Sequence, residues 1–445
     1  LMQNNLITVP QSNSQYRFFS PVPVNASGTL TAGAVTQTGM TLNWNNWANN
    51  ETGYVIYQST DNVNFSFVQQ TPANAVSSVV NGLSPSTLYY WRVYAVTEGA
   101  LSTALTATQA TSGAGTKTSV NSGNWNNAGL WVPAGVPAAS DNVIIASGHD
   151  VAINTNASCN SLTVGLNGSA SLRFSTNTGR SFTVNGNLVI QSSASLHIAN
   201  SSNTTHSLTV GGDIINNGIL NLATDGNSLC NLIFSSNRNQ VFGGSGALSK
   251  VNRMFVNKNN AVANTLEISA GSFTAPVNFL SFNSGYFKLT STGVMTLTPF
   301  SLAQVIPAGS AFLLDAPNAV INTGDDIVAN GSLTIQSGTM NIGNAVNEHL
   351  QISGGKLIVN GGELNVNGLI YSGGLNSAAN YEQNGGTVRA GNGGSNNTVV
   401  APFDMSAGAS RFVMNGGRLV VVNEGGDGSQ DLGMIINCLG AVNGG

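Results

Sequence analysis

The stretch that decides the fold runs from Gly331 to Gly374 and reads GSLTIQSGTMNIGNAVNEHLQISGGKLIVNGGELNVNGLIYSGG. Alternation of apolar and polar residues over three to five positions, closed by Gly, Asn or Ser, is typical of short half-buried β-strands. No helical spacing of apolar residues competes with this alternation. The apolar pairs are Leu333/Ile335, Met340/Ile342, Leu350/Ile352, Leu357/Val359 and Leu364/Val366.

The apolar pairs also repeat at a fixed distance. Leu333 and Leu357 are 24 residues apart, and so are Met340 and Leu364. A unit of three short strands that recurs in this way predicts a β-solenoid, in which each coil buries its apolar residues against the next coil. Similar tetrads elsewhere, at spacings of 20 and 26 residues, indicate the same unit: SLTV, SFTV, SLTV and SLTI, which begin at Ser161, Ser181, Ser207 and Ser332.

The composition of the 445-residue chain restricts its function classes. Charged residues make up only 7% of the chain, against about 25% in an ordinary domain. The net charge is −4 and no basic run is present, which argues against nucleic acid and anionic membranes as partners. No apolar run approaches the length of about 18 residues that a membrane-spanning helix needs, so we predict no membrane insertion.

Cysteine and histidine residues give no sign of a metal or cofactor site. Cys159, Cys230 and Cys438 form no metal-binding motif, and their odd number excludes a fully paired intrachain framework. We interpret them as small buried residues on the inner side of strands, with a Cys159–Cys230 bridge as an alternative. The histidines likewise lack a His or Cys partner at ligand spacing: His149, His197, His206 and His349.

Residues 23–112 follow a different strand pattern. Seven short strand-like runs with turn residues between them predict an antiparallel sandwich. Residues 1–22 are polar with scattered apolar side chains, and we interpret them as an extended N-terminal segment. The predicted strands of the sandwich are Gly28–Val35, Gly39–Trp44, Gly53–Ser59, Phe65–Gln69, Ser77–Val80, Tyr89–Thr97 and Leu105–Ala110.

One element within this region carries a family resemblance. The run LSPSTLYYWRVYA begins at Leu83 and contains Pro85 and Tyr89; together with Trp44 in TLNW, it resembles the fibronectin type III module. The resemblance implies that the Tyr89 hydroxyl caps a nearby backbone carbonyl, as in the tyrosine corner, and that Trp44 is the buried core indole. Such modules serve as spacers or binders, so the resemblance indicates fold more than function.

Residues 113–120 (GAGTKTSV) are predicted to be a linker, and residues 121–445 to form the solenoid. The start of the solenoid has Gly-x-Trp at Trp125, a second Trp at Trp131, and an Asp-x-Val-x-Ile run that begins at Asp141. This arrangement resembles the first coil of right-handed parallel β-helices in secreted and surface proteins of the Bacteroidetes. The resemblance implies that Trp125 and Trp131 plug the open end of the first coil, as a solenoid cap must. Because the C-terminus ends in mid-pattern, we expect the natural chain to continue.

An enzymatic function was tested against the motifs of β-helical polysaccharide hydrolases and lyases. Such hydrolases need clustered carboxylates, with a basic residue for the sugar acid. Gly324-Asp325-Asp326 resembles the Gly-Asp-Asp element of polygalacturonases, but that family's Asn-Thr-Asp, Gly-His-Gly and Arg-Ile-Lys elements are absent. An Asx-rich turn is the favoured interpretation of Asp325 and Asp326. We therefore predict no catalytic residue.

The sequence favours an all-β protein that acts as a secreted or cell-surface adhesin or structural stalk. It resembles Bacteroidetes proteins that the type IX system exports to the outer face of the outer membrane. Glycans, matrix or other surfaces would be its partners, besides the secretion machinery. Asparagine side chains would stack in ladders or occupy left-handed turn positions between coils. A carbohydrate-active enzyme is the first alternative. A passive spacer or export cargo, with activity in a further C-terminal region, is the second.

Overall fold

The computed structural model describes residues 23, 25–85, 87–97, 100–113, 115–199, 203–223, 228–258, 263–345, 347–373, 378–393, 401–422, 433–437 and 439–442. The chain divides into two compact units, Leu1–Gly115 and Thr116–Gly445. The predicted N-terminal segment, residues 1–22, and Cys438 lie outside the described residues. No helix in the described part of the chain is long and apolar enough to cross a membrane.

The first unit is a sandwich of two antiparallel sheets. One sheet has the order β1-β2-β5 and the other the order β4-β3-β6-β7. Alternate residues of β6 point inward, so that Trp91 and Val93 are buried while Arg92 and Tyr94 face outward. The strands lie close to the seven predicted ones: β1 Thr31–Gly33, β2 Gly39–Asn43, β3 Gly53–Ser59, β4 Ser66–Pro72, β5 Ser77–Asn81, β6 Leu88–Val96 and β7 Leu105–Ala110.

The second unit is a β-solenoid of about 11 turns. Among the described residues of this unit, one short helix is present, a 3₁₀ turn at Ala128–Leu130. The strands of its first half are β8 Thr116–Ser119, β9 Gly123–Asn124, β10 Trp131–Val132, β11 Asn142–Ala146, β12 Asp150–Ile153, β13 Ala157–Cys159, β14 Ser161–Leu166, β15 Ser171–Phe174, β16 Ser181–Val184, β17 Leu188–Ile190, β18 Ser195–Ile198, β19 Thr205–Val210, β20 Ile214–Asn216, β21 Ile219–Asn221, β22 Leu229–Phe234, β23 Gln240–Gly243, β24 Leu248–Lys250, β25 Arg253–Asn257, β26 Thr265–Ile268, β27 Phe273–Thr274, β28 Leu280–Ser284 and β29 Tyr286–Leu289.

Two long strands, β32 and β34, each serve two sheets in the second half of the solenoid. The strands of this half are β30 Met295–Phe300, β31 Gln304–Ile306, β32 Ala311–Thr323, β33 Ile327–Ala329, β34 Ser332–Ile342, β35 Leu350–Ile352, β36 Lys356–Val359, β37 Glu363–Val366, β38 Ile370–Ser372, β39 Asn380–Gln383, β40 Thr387–Ala390, β41 Phe403–Met405, β42 Arg411–Met414, β43 Arg418–Val421, β44 Met434–Ile436 and β45 Leu439–Val442.

Three parallel sheets run along the stack of coils. The first sheet contains β11, β14, β17 and their successors as far as β29, and continues through β32, β34, β36, β39, β42 and β45. The second sheet joins β9, β12, β15, β18, β21, β24 and β27, and in the later coils β30, β32, β34, β37, β40 and β43 occupy the same place in the coil. The third position in the coil holds two six-stranded sheets, together called the third sheet here: β13, β16, β19, β22, β25 and β28 in the earlier coils, and β31, β33, β35, β38, β41 and β44 in the later ones.

The repeat read from the sequence is confirmed by the strand register. Leu333 pairs with Leu357, and Met340 pairs with Leu364. All four side chains are almost completely excluded from water, at 0–1% exposure. Each such burial stabilises the fold by about 1.5–3 kcal/mol relative to an exposed side chain. The apolar stacks therefore form one continuous core along the solenoid.

The register corrects two details of the predicted organisation. Ser181 and Ser207 are neighbours in the third sheet, as their spacing of 26 indicates, but the tetrad at Ser161 belongs to the first sheet. Turns of variable length separate the strands, so similar tetrads do not always occupy the same sheet. Residues 116–119 of the predicted linker instead form β8, which pairs with β10 and β11, because Ser119 is buried against the first coil.

Candidate functional site

The residues that carry the sandwich motif lie in its core or at its edge. Trp44 is 6% exposed and its ring lies 5.6 Å from that of Tyr54, while Leu83 is buried and Pro85 half-buried. The Tyr89 hydroxyl is held by the backbone at a distance of 2.9 Å from the Ser84 nitrogen. It accepts this hydrogen bond from an N–H group, so the expected bond to a carbonyl is wrong in direction although the corner itself is present.

Trp125 and Trp131 meet at the first coil of the solenoid. Their ring centroids are 5.0 Å apart, and the Trp131 Nε1–H donates to the Trp125 carbonyl at 3.0 Å. Trp125 also contacts the Phe182 ring edge-to-face, at 4.9 Å. Both indoles belong to the continuous apolar core, at 0% and 1% exposure. They therefore fill the inside of the first coil.

Cys159 and Cys230 are free thiols with 0% exposure. Each lies on the inner side of a third-sheet strand, β13 and β22, so the alternative of a bridge between them is not realised. Burial raises the pKa of both thiols, because a thiolate would lose its solvation there. These residues act as core side chains.

The Asp325-Asp326 element forms a turn between the second and third sheets. The Asp325 carboxylate accepts the Asp326 N–H at 2.8 Å, and the Asp326 carboxylate accepts the His349 N–H at 2.5 Å. Glu348 in turn accepts the N–H groups of Asn344 and Ala345. The carboxylates at this corner thus cap backbone N–H groups, and that of Asp326 does so across to the next coil. No group of three or more His, Cys, Asp or Glu side chains within the described ranges is placed to hold a metal ion.

The outer side of the second sheet, called here the second face, carries a polar column through successive coils. Because neighbouring strands pair in register, residues one coil apart lie about 4.8 Å from each other. In the first half the column contains two basic residues and a histidine. Its members are Arg173, His197, Asn221, Lys250 and Thr274.

Arg173 is fixed in place by Asp150 of the preceding coil. Its Nε lies 2.9 and 2.8 Å from the two carboxylate oxygens. The two side chains are 31% and 43% exposed, so the pair lies at the surface and contributes little to stability. The terminal guanidinium nitrogens have no hydrogen bond to the described residues, and the side chain is 31% exposed. They remain available to an acceptor outside the protein.

A shallow depression of about 330 Å³ adjoins this ion pair. Hydroxyl groups dominate its lining because small residues occupy the turn that precedes the second sheet in these three coils: Gly148, Ser169, Ala170 and Ser193. His149 is held there by a hydrogen bond of 2.9 Å between its Nδ1 and the Ser119 Oγ. The other polar lining residues are Asp150, Ser169, Ser171, Ser193 and Ser195.

His197 lies one coil beyond Arg173 in the column. Burial lowers its pKa, Asp150 opposes that effect, and the Arg173 charge adds to it. The ordinary histidine pKa is about 6.5, so a lowered value leaves the ring neutral at pH 7. Its Nδ1 lies 3.3 Å from the Ser195 Oγ. At neutral pH this part of the face therefore combines one fixed guanidinium with neutral donors and acceptors.

The second face of the later coils carries an amide ladder. Asn341 donates to the Asn322 side-chain oxygen at 2.8 Å, and Asn365 donates to that of Asn341 at 2.9 Å. Arg389 ends the ladder by donating to Asn365 at 3.1 Å, and its guanidinium lies 3.5 Å from the Glu363 carboxylate. The expected stacking of asparagines between coils is confirmed here.

A second amide ladder follows the turn between the first and second sheets. Asn360 donates to Gln336 at 2.9 Å, Asn384 to Asn360 at 2.8 Å, and Asn415 to Asn384 at 2.6 Å. An amide has both donors and an acceptor, so each member can satisfy its neighbours and still offer groups to solvent or a ligand. The first ladder therefore lies on the second face, and this one lies along its edge.

The sequence did not identify the Asp150–Arg173 pair or its serine-lined surroundings. The two residues are 23 positions apart and come from different coils, at a distance from any recognisable motif. The sequence signal that could have revealed the pair was the 24-residue repeat. When this repeat is extended to the earlier coils, it places polar residues of successive strands in one column. Variable turns in that part of the chain obscure the register.

Comparison with known proteins identifies the first unit. The family model for the fibronectin type III domain matches residues 25–108, which fall within the sandwich. No match was found among curated proteins. Among solved structures, the crystal structure of FN3tt is 26% identical, with 21% of this chain and 97% of that chain covered and a TM-score of 0.19. The fn3 domain of the human collagen alpha-1(XX) chain is 21% identical, with 23% and 91% covered and a TM-score of 0.18.

Proposed function

We propose that this chain is a secreted or cell-surface scaffold, an adhesin or stalk, whose solenoid presents the second face to glycans or matrix. The observation that carries the proposal is the stack of coils joined by the first sheet from β11 to β45, with hydrogen-bonding side chains in register on the outer side of the second sheet within each half. Amides and hydroxyls match the donors and acceptors of sugar hydroxyls. The fibronectin type III sandwich is compatible with this function as a spacer or a second binding module.

The solenoid provides length and repeated presentation at once. About 11 turns at about 4.8 Å per turn give a stack of about 50 Å. Every inner coil is hydrogen-bonded to two neighbours, so bending the stack would break backbone ladders on one side. Many weak contacts along such a surface add up through effective concentration, by about 10²–10⁴ in apparent affinity for linked sites.

Export to the cell surface by a type IX system is part of the same proposal. It is supported by the resemblance of the segment from Trp125 to Asp141 to the first coil of Bacteroidetes surface proteins. The secretion machinery would then be a transient partner. The low charge content and amide-rich outer ladders also suit a protein that works outside the cell, where it meets glycans.

Two experiments test this function. Antibody against the chain should label intact producing cells, and protease added to those cells should remove the label. The purified chain, as a monomer and as a streptavidin-linked tetramer, should bind members of a panel of immobilised glycans and matrix proteins, with the tetramer binding at least about a hundredfold more tightly. An unlabelled cell surface, or absence of binding by the tetramer, contradicts the proposal.

The enzymatic alternative is separated by a chemical readout. The chain would be incubated with the polysaccharides that it binds, and new reducing ends and unsaturated uronates would be measured over time. A scaffold leaves both signals at the level of the buffer control. Time-dependent product formation that disappears in an Asp326→Asn variant would replace the adhesin proposal by a carbohydrate-active enzyme.

A further inference from the structure

We infer that the first half of the second face is a binding site for an acidic polysaccharide, a chain of uronate sugars that runs along the stack of coils. This inference rests on the proposed glycan-binding function and gives it a ligand class. The features that carry it are the fixed Arg173 guanidinium, the serine-lined depression beside it, and the basic column that continues to Lys250.

The guanidinium of Arg173 provides the recognition of charge. Its Nε is held by Asp150 at 2.8 and 2.9 Å, which restrains the group and leaves the terminal nitrogens without a hydrogen bond to the described residues. A carboxylate can accept two parallel hydrogen bonds from such a fork. The ordering cost of the side chain has already been met in the free protein, so a ligand gains more from each bond.

The depression provides the recognition of the sugar ring. Ser171 and Ser195 come from equivalent positions of neighbouring coils, since β15 and β18 pair at these residues. With Ser169, Ser193, His149 and the Asp150 carboxylate that holds Arg173, they line a space of about 330 Å³. Hydroxyl groups that are both donors and acceptors suit the hydroxyls of a pyranose ring. An anion without sugar hydroxyls would leave this part of the site unused.

The column sets the direction of the ligand. His197 follows Arg173 by one coil and Lys250 follows it by three coils, which are distances of about 5 and 14 Å along the stack. Successive sugars of a polymer that runs in this direction meet a polar or basic side chain at each coil.

The ligand used in the test is a polygalacturonate hexamer, and its methyl-esterified counterpart is the matched control. The ester has the same sugar chain without the negative charge. Isothermal titration calorimetry with the full chain should show binding of the acid that weakens as salt is raised, and at least tenfold weaker binding of the ester. A trimer should bind more weakly than the hexamer, because it reaches fewer coils.

Variants locate the site. Arg173→Gln should weaken binding of the hexamer by about tenfold to a hundredfold, since it removes charge-assisted hydrogen bonds. Arg173→Lys should lose part of that affinity, because it retains the charge without the fork. Arg253→Gln is the matched control, since Arg253 lies on the third sheet; it should leave affinity unchanged. Circular dichroism and melting of each variant verify the fold.

The outcomes separate this inference from the proposed function. Equal binding of acid and ester, or an Arg173→Gln variant that binds like the unaltered chain, overturns the acidic-polysaccharide site. An equal loss in Arg253→Gln also overturns it, because the attraction would then be non-specific. If the hexamer is not bound while other glycans are and intact cells are labelled, the ligand class is wrong and the scaffold function stands.

Discussion

The stacked core makes a local prediction about Leu364, which lies between Met340 and Val388 in consecutive coils. Its side chain is fully buried, at 0% exposure. Leu364→Ala removes three buried carbon atoms and leaves a cavity that a stiff stack cannot close, at a cost of about 2–5 kcal/mol. In a solenoid, the stability is a sum of coil terms and neighbour terms, so the cost should fall mainly on the adjoining coils.

Hydrogen exchange with mass spectrometry measures that locality. Peptides that cover residues 332–342, 356–372 and 380–390 should lose protection in Leu364→Ala, whereas those that cover residues 161–190 should keep it. Ile358→Ala is the matched control, because Ile358 faces outward on β36 and is half-buried; we expect a loss below about 1 kcal/mol. Equal effects of the two substitutions, or an equal loss of protection at residues 161–190, would refute the stacked-coil reasoning.

Three further substitutions or conditions follow from the hydrogen bonds. Asn341→Ala breaks its hydrogen bonds to the neighbouring ladder amides and should lower local stability by about 1–2 kcal/mol. Amide hydrogen exchange should then be faster in β34 and β37. Unchanged exchange rates would show that the ladder does not stabilise these strands. Tyr89→Phe removes the hydrogen bond to Ser84 and should lower the free energy of unfolding of the sandwich by about 1 kcal/mol. The midpoint of its guanidinium unfolding curve, followed by fluorescence, should then lie at a lower denaturant concentration. An unchanged midpoint would contradict a stabilising role of this bond. Burial, with repulsion from Arg238, lowers the pKa of Lys258 to about 8. Between about pH 8 and 10.4 the unfolded chain therefore binds more protons than the folded chain, so the free energy of unfolding should rise with pH over that window. Urea titrations at a series of pH values should show this rise, and Lys258→Met should abolish it.

The parts of the fold that the sequence could predict are those with local, repeated signals. The 24-residue distance from Leu333 to Leu357 fixed the register correctly because one coil of that length closes on itself with three short strands. The Tyr89 motif located the last long strand of the sandwich because its alternation is strict. In both cases, residues near in sequence carry enough information to define the element.

The candidate site lacked such signals. Asp150 and Arg173 meet only because β12 and β15 are neighbours in the second sheet, and turns of differing length hide this relation in the sequence. For the same reason, the sequence grouped the tetrad at Ser161 with those at Ser181 and Ser207, although it lies in the first sheet and they lie in the third. A period-2 pattern states which side of a strand is buried, and it does not state which of three sheets contains the strand.

The low charge content follows from the stack itself. A charged residue repeated at one position of every coil would place like charges about 4.8 Å apart, which costs about 1 kcal/mol per neighbouring pair even in water. Amides avoid this repulsion, because each can donate to one neighbour and accept from the other, as Asn341 does. Charges between described coils are instead paired with the opposite sign, as in Arg173–Asp150 and Lys356–Glu382. The column that contains Arg173 and Lys250 follows the same rule, because Arg173 is paired with Asp150 and the uncharged His197 and Asn221 separate it from Lys250.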